Sequence, residues 1–589
     1  MLDQLTNWGI EISKISSHVY LFREHREPFR NASLFNTALT FHETFSHLSP
    51  KPPFLQDVLS FIFDEWKHDW NKPLFIDAEN PDSGISASQM INLIKCIGKG
   101  LRDSLNVHTG DVVMLCTSNS IFIPALMLGA ICAGATISGA NPNSTVTELI
   151  YQIKDTGSRV IFVSEESLGV VSQTIESFNL PSIVVLASLE RGPKFGAMTV
   201  GDLLDYGELQ WDRLTTERQM RSRIFALNYS SGTTGPPKGC KISVFNMMAY
   251  CCQEIVFHNE SIKGLRASGK VVPDTETDIA FAPFYHALGQ VKYCIVSQVL
   301  GSTTYVMKTF NFEKFLDYIP LYRITSFVCV PPIAVALAKH PRVLETDFSS
   351  VHSALCGAAP LGKETQLQAE KAMRHPRLRQ GWGMSEAVCG VTGFLLHERD
   401  PDISGVGYLL PSMSARIVDD QDQDLGWNEA GEVLIKGPNV FEGYWNKDAE
   451  TRDAFLDGWY RTGDIGVMKR DGILHIVDRK KELIKVRGFQ VAPAELEGLL
   501  LKHPDVADAA VIGIPIEGTE LPRAYIVPSR PGVDPKFISE YIASKLAYYK
   551  QLTGGVVFVD DIPKNPSGKI LRRSLVPSLT LSRVTMNII

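Results

Sequence analysis

Short runs of apolar residues alternate with amphipathic stretches along most of the chain. The runs at Val112–Cys116, Val160–Val163 and Ile183–Leu186 are rich in β-branched residues and predict buried strands. The stretch near Ser86–Leu105 has one apolar face and begins with a Ser–Gln capping box, which predicts an amphipathic helix. Strands and helices that alternate at this spacing predict a parallel α/β sheet flanked by helices.

The same pattern predicts further elements towards the middle of the chain. They are a helix capped by Thr145 and Glu148, and strands at Ile224–Leu227, Phe327–Val330 and Ser353–Leu355. The most apolar stretch, residues 121–137, is interrupted by proline and glycine. A membrane-spanning helix needs about 20 apolar residues, so this stretch predicts a buried core helix, and we expect no membrane span.

The pattern changes beyond about Gly405, where the strands shorten and glycines become frequent. The elements predicted there are antiparallel strands at Val433–Ile435, Gly458–Tyr460 and Ile473–Val477, a helix from Pro493, and a strand at Ala509–Ile514. We therefore expect a large domain over residues 51–478 and a small C-terminal domain over 479–589. Residues 1–50 form an N-terminal arm to which the sequence assigns no role.

Composition narrows the class of protein. A chain of 589 residues is too long for one hydrophobic core. The net charge of −7 comes without a basic block, which argues against a nucleic-acid partner. The ten cysteines show no CxxC pair and predict buried, reduced thiols. Neither a secretory signal nor a C-terminal S-K-L signal is evident, so we expect a cytoplasmic protein, with the peroxisome as the alternative.

A glycine- and hydroxyl-rich segment at Tyr229–Gly239, Y-S-S-G-T-T-G-P-P-K-G, follows the strand predicted at Ile224–Leu227. Glycines let the backbone approach a ligand closely, hydroxyls donate to phosphate oxygens, and the lysine adds a positive charge. The glycine–lysine spacing is not that of a Walker A loop. We call this segment the phosphate cradle; its candidate ligands are Ser230, Ser231, Gly232, Thr233, Thr234, Gly235 and Lys238.

Two further motifs carry chemistry suited to a nucleotide. In residues 380–386, Q-G-W-G-M-S-E, Trp382 stands between glycines and offers a flat face for adenine, while Ser385 offers a hydroxyl to phosphate. Glu386 is an oxygen ligand of the kind that Mg²⁺ prefers. After a tight turn, Asp464 offers a carboxylate that can accept from two ribose hydroxyls.

Together these motifs resemble the adenylate-forming superfamily of acyl- and aryl-CoA ligases, adenylation domains and luciferases. The closest likeness is to the fungal 4-coumarate-CoA-ligase-like branch, and it extends from about Phe54 to Arg573. The resemblance implies an α/β fold, in which a large domain of parallel-rich sheets with a small β-barrel-like subdomain precedes a mobile α+β domain. It also implies formation of an acyl-adenylate from ATP with Mg²⁺, followed by transfer of the acyl group to CoA.

The resemblance also implies roles for individual residues. Lys569, in the segment P-K-N-P-S-G-K-I-L-R-R, bridges the carboxylate and the α-phosphate during adenylation, and Lys485 serves the thioester step. The nucleotide contacts add Ala358, Gln380, Gly381, Gly383 and Arg479; the hinge is Lys481; the CoA contacts are Lys308, Arg487 and Gly488. His286 gates an acyl pocket walled by Tyr285, Leu288, Lys292, Gly357, Val388, Cys389 and Gly390.

Some positions bear on the substrate. The motif around His286 lacks the aspartate that holds an amino group in amino-acid-activating relatives, which argues against an amino-acid substrate. Cys389 and Gly390 replace bulkier family residues, so we expect an aryl or medium-length acid, with a role in secondary metabolism. Lys292 either faces the pocket or lies on a helix surface. Val244 stands where the family has a histidine.

Three alternatives stay open at the level of sequence. The enzyme could load a carrier protein in trans, because the segment after Arg573 is too short for a fused carrier domain of about 80 residues. A luciferase-like oxygenase would share most of these motifs. A non-catalytic binding protein would be expected to lack Lys569 or Glu386, and both are present. We expect a monomer or a homodimer.

Overall fold

Two seven-stranded sheets form the framework of the large domain. The computed structural model describes residues 41–42, 56–230, 237–374, 376–398, 403–487, 489–516, 519–565 and 568–575. In spatial order, the strands of the first sheet are Lys238–Ser243, Ile224–Ser230, Thr136–Gly139, Val112–Cys116, Val160–Val163, Ile183–Leu186 and Met198–Thr199. Those of the second are Leu378–Gln380, Ser353–Cys356, Ser326–Cys329, Thr277–Ala280, Thr303–Val306, Pro73–Asp77 and Gly84–Ser86.

Both sheets are parallel apart from one antiparallel edge pair each. Every residue of Val112–Cys116 and Val160–Val163 is buried, as expected for central parallel strands that are covered on both faces. The predicted strands and the parallel sheet are therefore confirmed. The strand predicted at Ile224–Leu227 extends to Ser230 and ends at the phosphate cradle.

Helices cover these sheets, and local sequence signals set several of their boundaries. Ser86 and Gln89 cap Ala87–Asp103, and Thr145 and Glu148 cap Val146–Thr156, which confirms both predicted capping boxes. The other α-helices of at least six residues are Val58–Phe63, Ile123–Cys132, Glu165–Ser177, Glu217–Ser222, Val244–Ala267, Phe312–Leu321, Pro331–Lys339, Lys363–Met373, Asp448–Asp453, Pro493–Leu500 and Pro535–Ala543. Gly289–Val296 is a π-helix. Among the helices in the described ranges, none combines the length and apolar character needed to cross a bilayer.

The sheet between about Gly405 and Arg479 is antiparallel, as predicted. Its strands are Phe41–His42, Ser414–Val418, Ala430–Lys436, Trp459–Met468 and Phe455–Leu456 in spatial order, with Leu474–Arg479 also paired to Trp459–Met468. Two residues of the N-terminal arm thus pair with Ser414–Val418 as an outer strand. The rest of the arm, apart from residues 41–42, lies outside the described residues.

The C-terminal part of the chain packs around a core of its own. A three-stranded sheet of Val506–Ile516, Thr519–Pro528 and Val556–Phe558 and a hairpin of Ile484–Val486 and Phe489–Val491 share this core with the helices Pro493–Leu500 and Pro535–Ala543. The predicted boundary between residues 478 and 479 falls at the end of the strand Leu474–Arg479, shortly before this hairpin. Ion pairing of Lys502 with Glu364 and a hydrogen bond from Lys339 to the carbonyl of Val506 join this unit to the large domain.

All ten cysteines carry free thiols. Eight are buried, as predicted, but Cys96 and Cys389 are half-buried, so burial was wrong for these two. Val244, the departure from the family histidine, is buried at the first position of Val244–Ala267. Val244 lines a cavity together with Asp57, Trp211 and Arg223, none of which belongs to the nucleotide motifs.

Candidate active site

Several of the predicted motifs follow the carboxyl ends of parallel strands, the edge at which open α/β sheets bind ligands. The loop with Tyr285 and His286 follows Thr277–Ala280, and Gly357 follows Ser353–Cys356. Gly139, at the end of a strand of the other sheet, contacts this loop so closely that a Cβ there would lie 1.9 Å from the carbonyl oxygen of Tyr285. Only glycine therefore allows the two sheets to meet at this edge.

The structure describes the first and last residues of the phosphate cradle, which lie opposite each other on two paired strands. Lys238 pairs with Ser230 in antiparallel register, and its ammonium lies 4.9 Å from the ring centroid of Tyr444. This cation–π contact orients a lysine whose hydrocarbon stem is otherwise flexible. The cradle residues Ser231, Gly232, Thr233, Thr234 and Gly235 lie outside the described residues.

Glu386 is held by an aromatic residue that the sequence motifs did not reveal. Its carboxylate is buried, and the Tyr444 hydroxyl donates a 3.0 Å hydrogen bond to Oε1. The Tyr460 hydroxyl lies 3.3 Å from that of Tyr444. Tyr444 belongs to a segment that pairs with the strand Lys238–Ser243, through bonds such as Trp445 N–H to the carbonyl of Gly239. No local pattern marks Tyr444, because its role arises only from this long-range pairing.

Trp382, Asp464 and Arg479 form one connected group. The Trp382 indole Nε1 donates a 2.8 Å hydrogen bond to Asp464 Oδ2, and Arg479 Nε lies 3.2 Å from Asp464 Oδ1. Asp464 is 3% exposed, and its Oδ1 accepts no hydrogen bond from the described residues. Burial raises the pKa of Asp464, while the charge of Arg479 and the Trp382 hydrogen bond oppose that rise. The group therefore offers an oriented carboxylate with acceptor capacity to spare.

Lys569 comes from the C-terminal unit, and the charges of Arg479 and Asp464 act on it. Its backbone N–H donates 2.8 Å to the Asn565 side chain, which fixes the turn that presents it. Burial lowers the pKa of Lys569, the positive charge of Arg479 lowers it further, and Glu482 and Asp464 oppose the shift. Lys569 is thus a partly desolvated lysine on which the charges of Arg479, Glu482 and Asp464 act.

The remaining nucleotide residues have mainly structural surroundings. The Gln380 side chain accepts a bond from the N–H of Leu361 and donates to Gln366, so it anchors the loop that carries Gly357 and Ala358. Ala358 has a positive φ of 71° and is exposed. Gly381, Gly383 and Ser385 are half-buried around Trp382 and Glu386.

The residues assigned to the thioester step and to the hinge are exposed where the structure describes them. Lys485 is exposed on the hairpin of the C-terminal unit, where its backbone N–H donates to Glu520. Arg487 and Lys481 are also exposed, and Gly488 lies outside the described residues. Lys308 is paired with Glu166 at the surface.

The predicted acyl-pocket residues are half-buried or buried. Tyr285, His286, Leu288, Gly357, Cys389 and Gly390 are half-buried, and Val388 is buried. Burial lowers the pKa of His286, so the imidazole is held neutral. Gln290, which the sequence motifs did not reveal, donates to both Asn228 and the carbonyl of Tyr285, and so ties the loop that carries Tyr285 to the strand before the cradle.

Lys292 faces the interior rather than a helix surface. Its ammonium lies 3.3 Å from Asp278, a carboxylate with no exposed surface. The surface-lysine alternative is therefore wrong. Neither Asp278 nor the nearby Glu254 was predicted, because neither lies in one of the short motifs that nominated the site.

Similarity to known proteins extends over most of the chain. A family model described as AMP-binding enzyme matches residues 64–445, and one described as AMP-binding enzyme C-terminal domain matches residues 495–569. The sequence is 36% identical over 536 residues to phenylacetyl-CoA ligase epaB of Aspergillus niger, covering 88% of this chain and 96% of that protein. It is 35% identical over 535 residues to acyl-CoA ligase azaF of the same species, covering 88% and 98%. The crystal structure of ATP-bound MatB from Rhodopseudomonas palustris aligns with a TM-score of 0.75 at 26% identity, over 88% of this chain and 98% of that chain.

Proposed function

The chain belongs to the AMP-binding enzyme family. We propose that the site residues described above serve two successive steps of an acyl-CoA ligase reaction, adenylation and thioester formation. The enzyme is an AMP-forming acid–thiol ligase that activates a carboxylic acid with ATP and transfers the acyl group to CoA. The observation that carries the division of roles is the half-buried position of Lys569, where the charges of Asp464 and Arg479 act on it, while Lys485 is exposed. This arrangement suits adenylation.

In the adenylation step, the carboxylate of the acid attacks the α-phosphorus of ATP and pyrophosphate leaves. Asp464 holds the ribose hydroxyls, Trp382 supports the adenine, and Lys238 holds phosphate oxygens. Lys569 offsets the negative charge that develops between carboxylate and phosphate. Stabilisation of a developing charge by groups already in position is usually the main source of rate acceleration in an enzyme. His286 closes the acyl side as a neutral ring.

In the thioester step, the CoA thiol displaces AMP from the acyl-adenylate. We propose that the C-terminal unit rotates about Lys481, withdraws Lys569 and presents Lys485, with Lys308, Arg487 and Gly488 contacting CoA. A hinge of this kind lets one pocket serve two transition states in turn.

The site also fits a Mg²⁺ ion. Glu386 offers a buried carboxylate oriented by Tyr444, and Mg²⁺ sites in nucleotide enzymes use one or two carboxylates together with substrate phosphates and water. Among the described residues, no three His, Cys, Asp or Glu side chains gather to form a metal cage, so phosphates and water would complete the coordination. The ion would neutralise phosphate charge when bound.

We expect Glu386→Gln to reduce the rate of pyrophosphate release about 100-fold, because it weakens the metal ligand while keeping the size of the side chain. The Mg²⁺ concentration needed for half-maximal activity should rise. Pyrophosphate release titrated with Mg²⁺ measures both effects. Glu442→Gln, at an exposed ion pair with Arg221, is the matched control, and an unchanged Mg²⁺ requirement in Glu386→Gln would contradict the assignment.

A second prediction tests the docking of the C-terminal unit. Gly568 has a φ of 76°, and a Cβ there would lie 3.0 Å from Val330 of the large domain. Gly532 has a φ of 77°, but a Cβ there would meet nothing within 4 Å. Both glycine-to-alanine changes should cost about 1–2 kcal/mol of stability, measured by denaturant unfolding. Only Gly568→Ala should also slow adenylation, since it displaces Lys569; equal adenylation rates would contradict the role of this contact.

The function itself is tested by pyrophosphate release from ATP over a panel of aryl and medium-length carboxylic acids, with and without CoA. Release with one acid, and a CoA thioester as product, is the expected result. An acyl-adenylate that CoA does not consume would indicate a carrier protein in trans, and oxygen consumption would indicate the luciferase-like alternative. We propose the cytoplasm as the compartment, secondary metabolism as the role, and a monomer or homodimer as the assembly.

A further inference from the structure

An acidic residue outside the sequence motifs connects segments that reach the nucleotide site. Asp155 lies one residue before the end of the helix Val146–Thr156, and its side chain is 11% exposed. The Tyr229 hydroxyl donates a 2.5 Å hydrogen bond to Asp155 Oδ2, and Lys447 Nζ lies 3.6 Å from Asp155 Oδ1. A carboxylate in the last turn of a helix is unfavourable for the helix itself. Its stabilising contacts are therefore with other segments.

The same helix holds both ends of the phosphate cradle. Tyr229, which donates to Asp155, is the first residue of the cradle. Near the other end, the carbonyl of Pro237 accepts a 2.9 Å hydrogen bond from the Tyr151 hydroxyl. Tyr151 precedes Asp155 by four positions, so the two side chains lie on the same face of the helix. One helical turn thus fixes where the cradle begins and where it ends.

The bond from Tyr229 to Asp155 depends on a glycine in the neighbouring strand. Gly239 lies opposite Tyr229 in the antiparallel pair. A Cβ on Gly239 would lie 3.1 Å from Cε2 and Cζ of the Tyr229 ring, which is tighter than an ordinary van der Waals contact. The ring therefore lies against the backbone of Gly239, and the missing side chain leaves room for the path of its hydroxyl to Asp155.

On its other side, Asp155 holds the segment that carries Tyr444. The indole of Trp445, the next residue, donates a 3.0 Å hydrogen bond to the backbone carbonyl of Asp155. The ring centroid of Tyr444 lies 4.9 Å from the ammonium of Lys238, and its hydroxyl donates to Glu386. Asp155 is thus linked to the phosphate-binding lysine both along the strand pair and through Tyr444.

The residues proposed to hold adenosine are supported by other elements. Trp382 follows a strand of the second sheet, and Asp464 belongs to the antiparallel sheet. In the proposed reaction, Lys569 serves the α-phosphate. The cradle is then left for the two phosphates that leave as pyrophosphate. A change at Asp155 should therefore affect these two phosphates and spare the contacts with AMP.

We propose that Asp155 is a positioning residue for the phosphate cradle: through Tyr229 and Trp445 it holds Lys238 in place for the departing pyrophosphate. The inference rests on the proposed ligase function and goes beyond it, because it assigns the geometry of the cradle to a residue that acts only through other side chains. Loss of the carboxylate should weaken the binding of MgATP and of pyrophosphate, but not that of AMP.

The test measures the dissociation constants of MgATP, magnesium pyrophosphate and AMP for the full-length enzyme by isothermal titration calorimetry. Asp155→Ala removes the carboxylate, keeps the backbone carbonyl that accepts from Trp445, and places a residue that favours helix. Tyr229→Phe removes the hydroxyl alone. In both variants we expect the constants for MgATP and pyrophosphate to rise about tenfold, and that for AMP to change by less than about twofold.

The double variant should lose no more affinity than Asp155→Ala, because the two side chains act through one hydrogen bond. Tyr322→Phe is the matched control: it removes a hydroxyl that donates to the carbonyl of Ala78, and it should change none of the constants. Lower stability alone would reduce the fraction of folded enzyme without changing the ratio of MgATP to AMP affinity.

Two results would overturn this inference alone. One is an additive loss of affinity in the double variant. The other is a set of constants for MgATP and AMP that rise together, or that do not rise, in Asp155→Ala. Failure of the unaltered enzyme to bind MgATP would overturn the inference together with the proposed function.

Discussion

Lys569→Ala will slow acyl-adenylate formation about 100- to 1,000-fold, the range observed when one preorganised donor to a developing charge is removed. The alanine variant keeps the turn, because the bond to Asn565 uses the backbone N–H of Lys569. The loss therefore reports on the ammonium rather than on folding. Single-turnover pyrophosphate release measures it directly.

The matched control is the other lysine. Lys485→Ala should retain pyrophosphate release and lose thioester formation, whereas Lys569→Ala should convert a supplied acyl-adenylate to the CoA thioester at the normal rate. Equal losses of both half-reactions in either variant would contradict the division of roles between the two lysines.

The same lysine sets an expectation for pH dependence. Lys569 must be protonated to act, and burial together with Arg479 lowers its pKa from the ordinary 10.5. Adenylation should therefore decline with rising pH through a group whose pKa lies below 10.5. The decline should be absent from the residual activity of Lys569→Ala.

Asp464→Asn will raise the KM for ATP about 30-fold and lower stability by about 1–3 kcal/mol. Asparagine can still accept from the Trp382 indole, but it removes the charge that pairs with Arg479 at 3.2 Å. Two cations, Arg479 and Lys569, would then lose one of the carboxylates whose charge acts on them. Initial rates over a range of ATP concentrations and thermal unfolding measure the two effects.

Trp382→Phe tests the hydrogen bond from the Trp382 indole to Asp464 without changing the charge of Asp464. It removes the 2.8 Å bond to Asp464 Oδ2 but leaves an aromatic face for adenine and keeps the Asp464–Arg479 pair. We expect an increase in the KM for ATP of about fivefold, near the 1 kcal/mol of a typical hydrogen bond. An effect as large as that of Asp464→Asn would contradict the ribose assignment.

Much of the framework was predictable because its causes are local. The capping boxes at Ser86 and Thr145, the buried run Val112–Cys116 and the helix that begins at Pro493 depend on neighbouring residues alone, and the structure confirms each. The candidate nucleotide residues were likewise recognisable as short motifs, since a phosphate, a base or a ribose requires certain side chains at close spacing.

What the sequence by itself determined is therefore the α/β framework, the antiparallel region and the motifs that nominate a site. Only the tertiary structure decided how distant side chains pair: the Trp382 indole with Asp464, Tyr444 with Glu386, and Lys292 with Asp278. The physical reason is range. Caps and apolar periodicity act within a few residues, whereas these contacts form only when strands and helices far apart in sequence pack against each other.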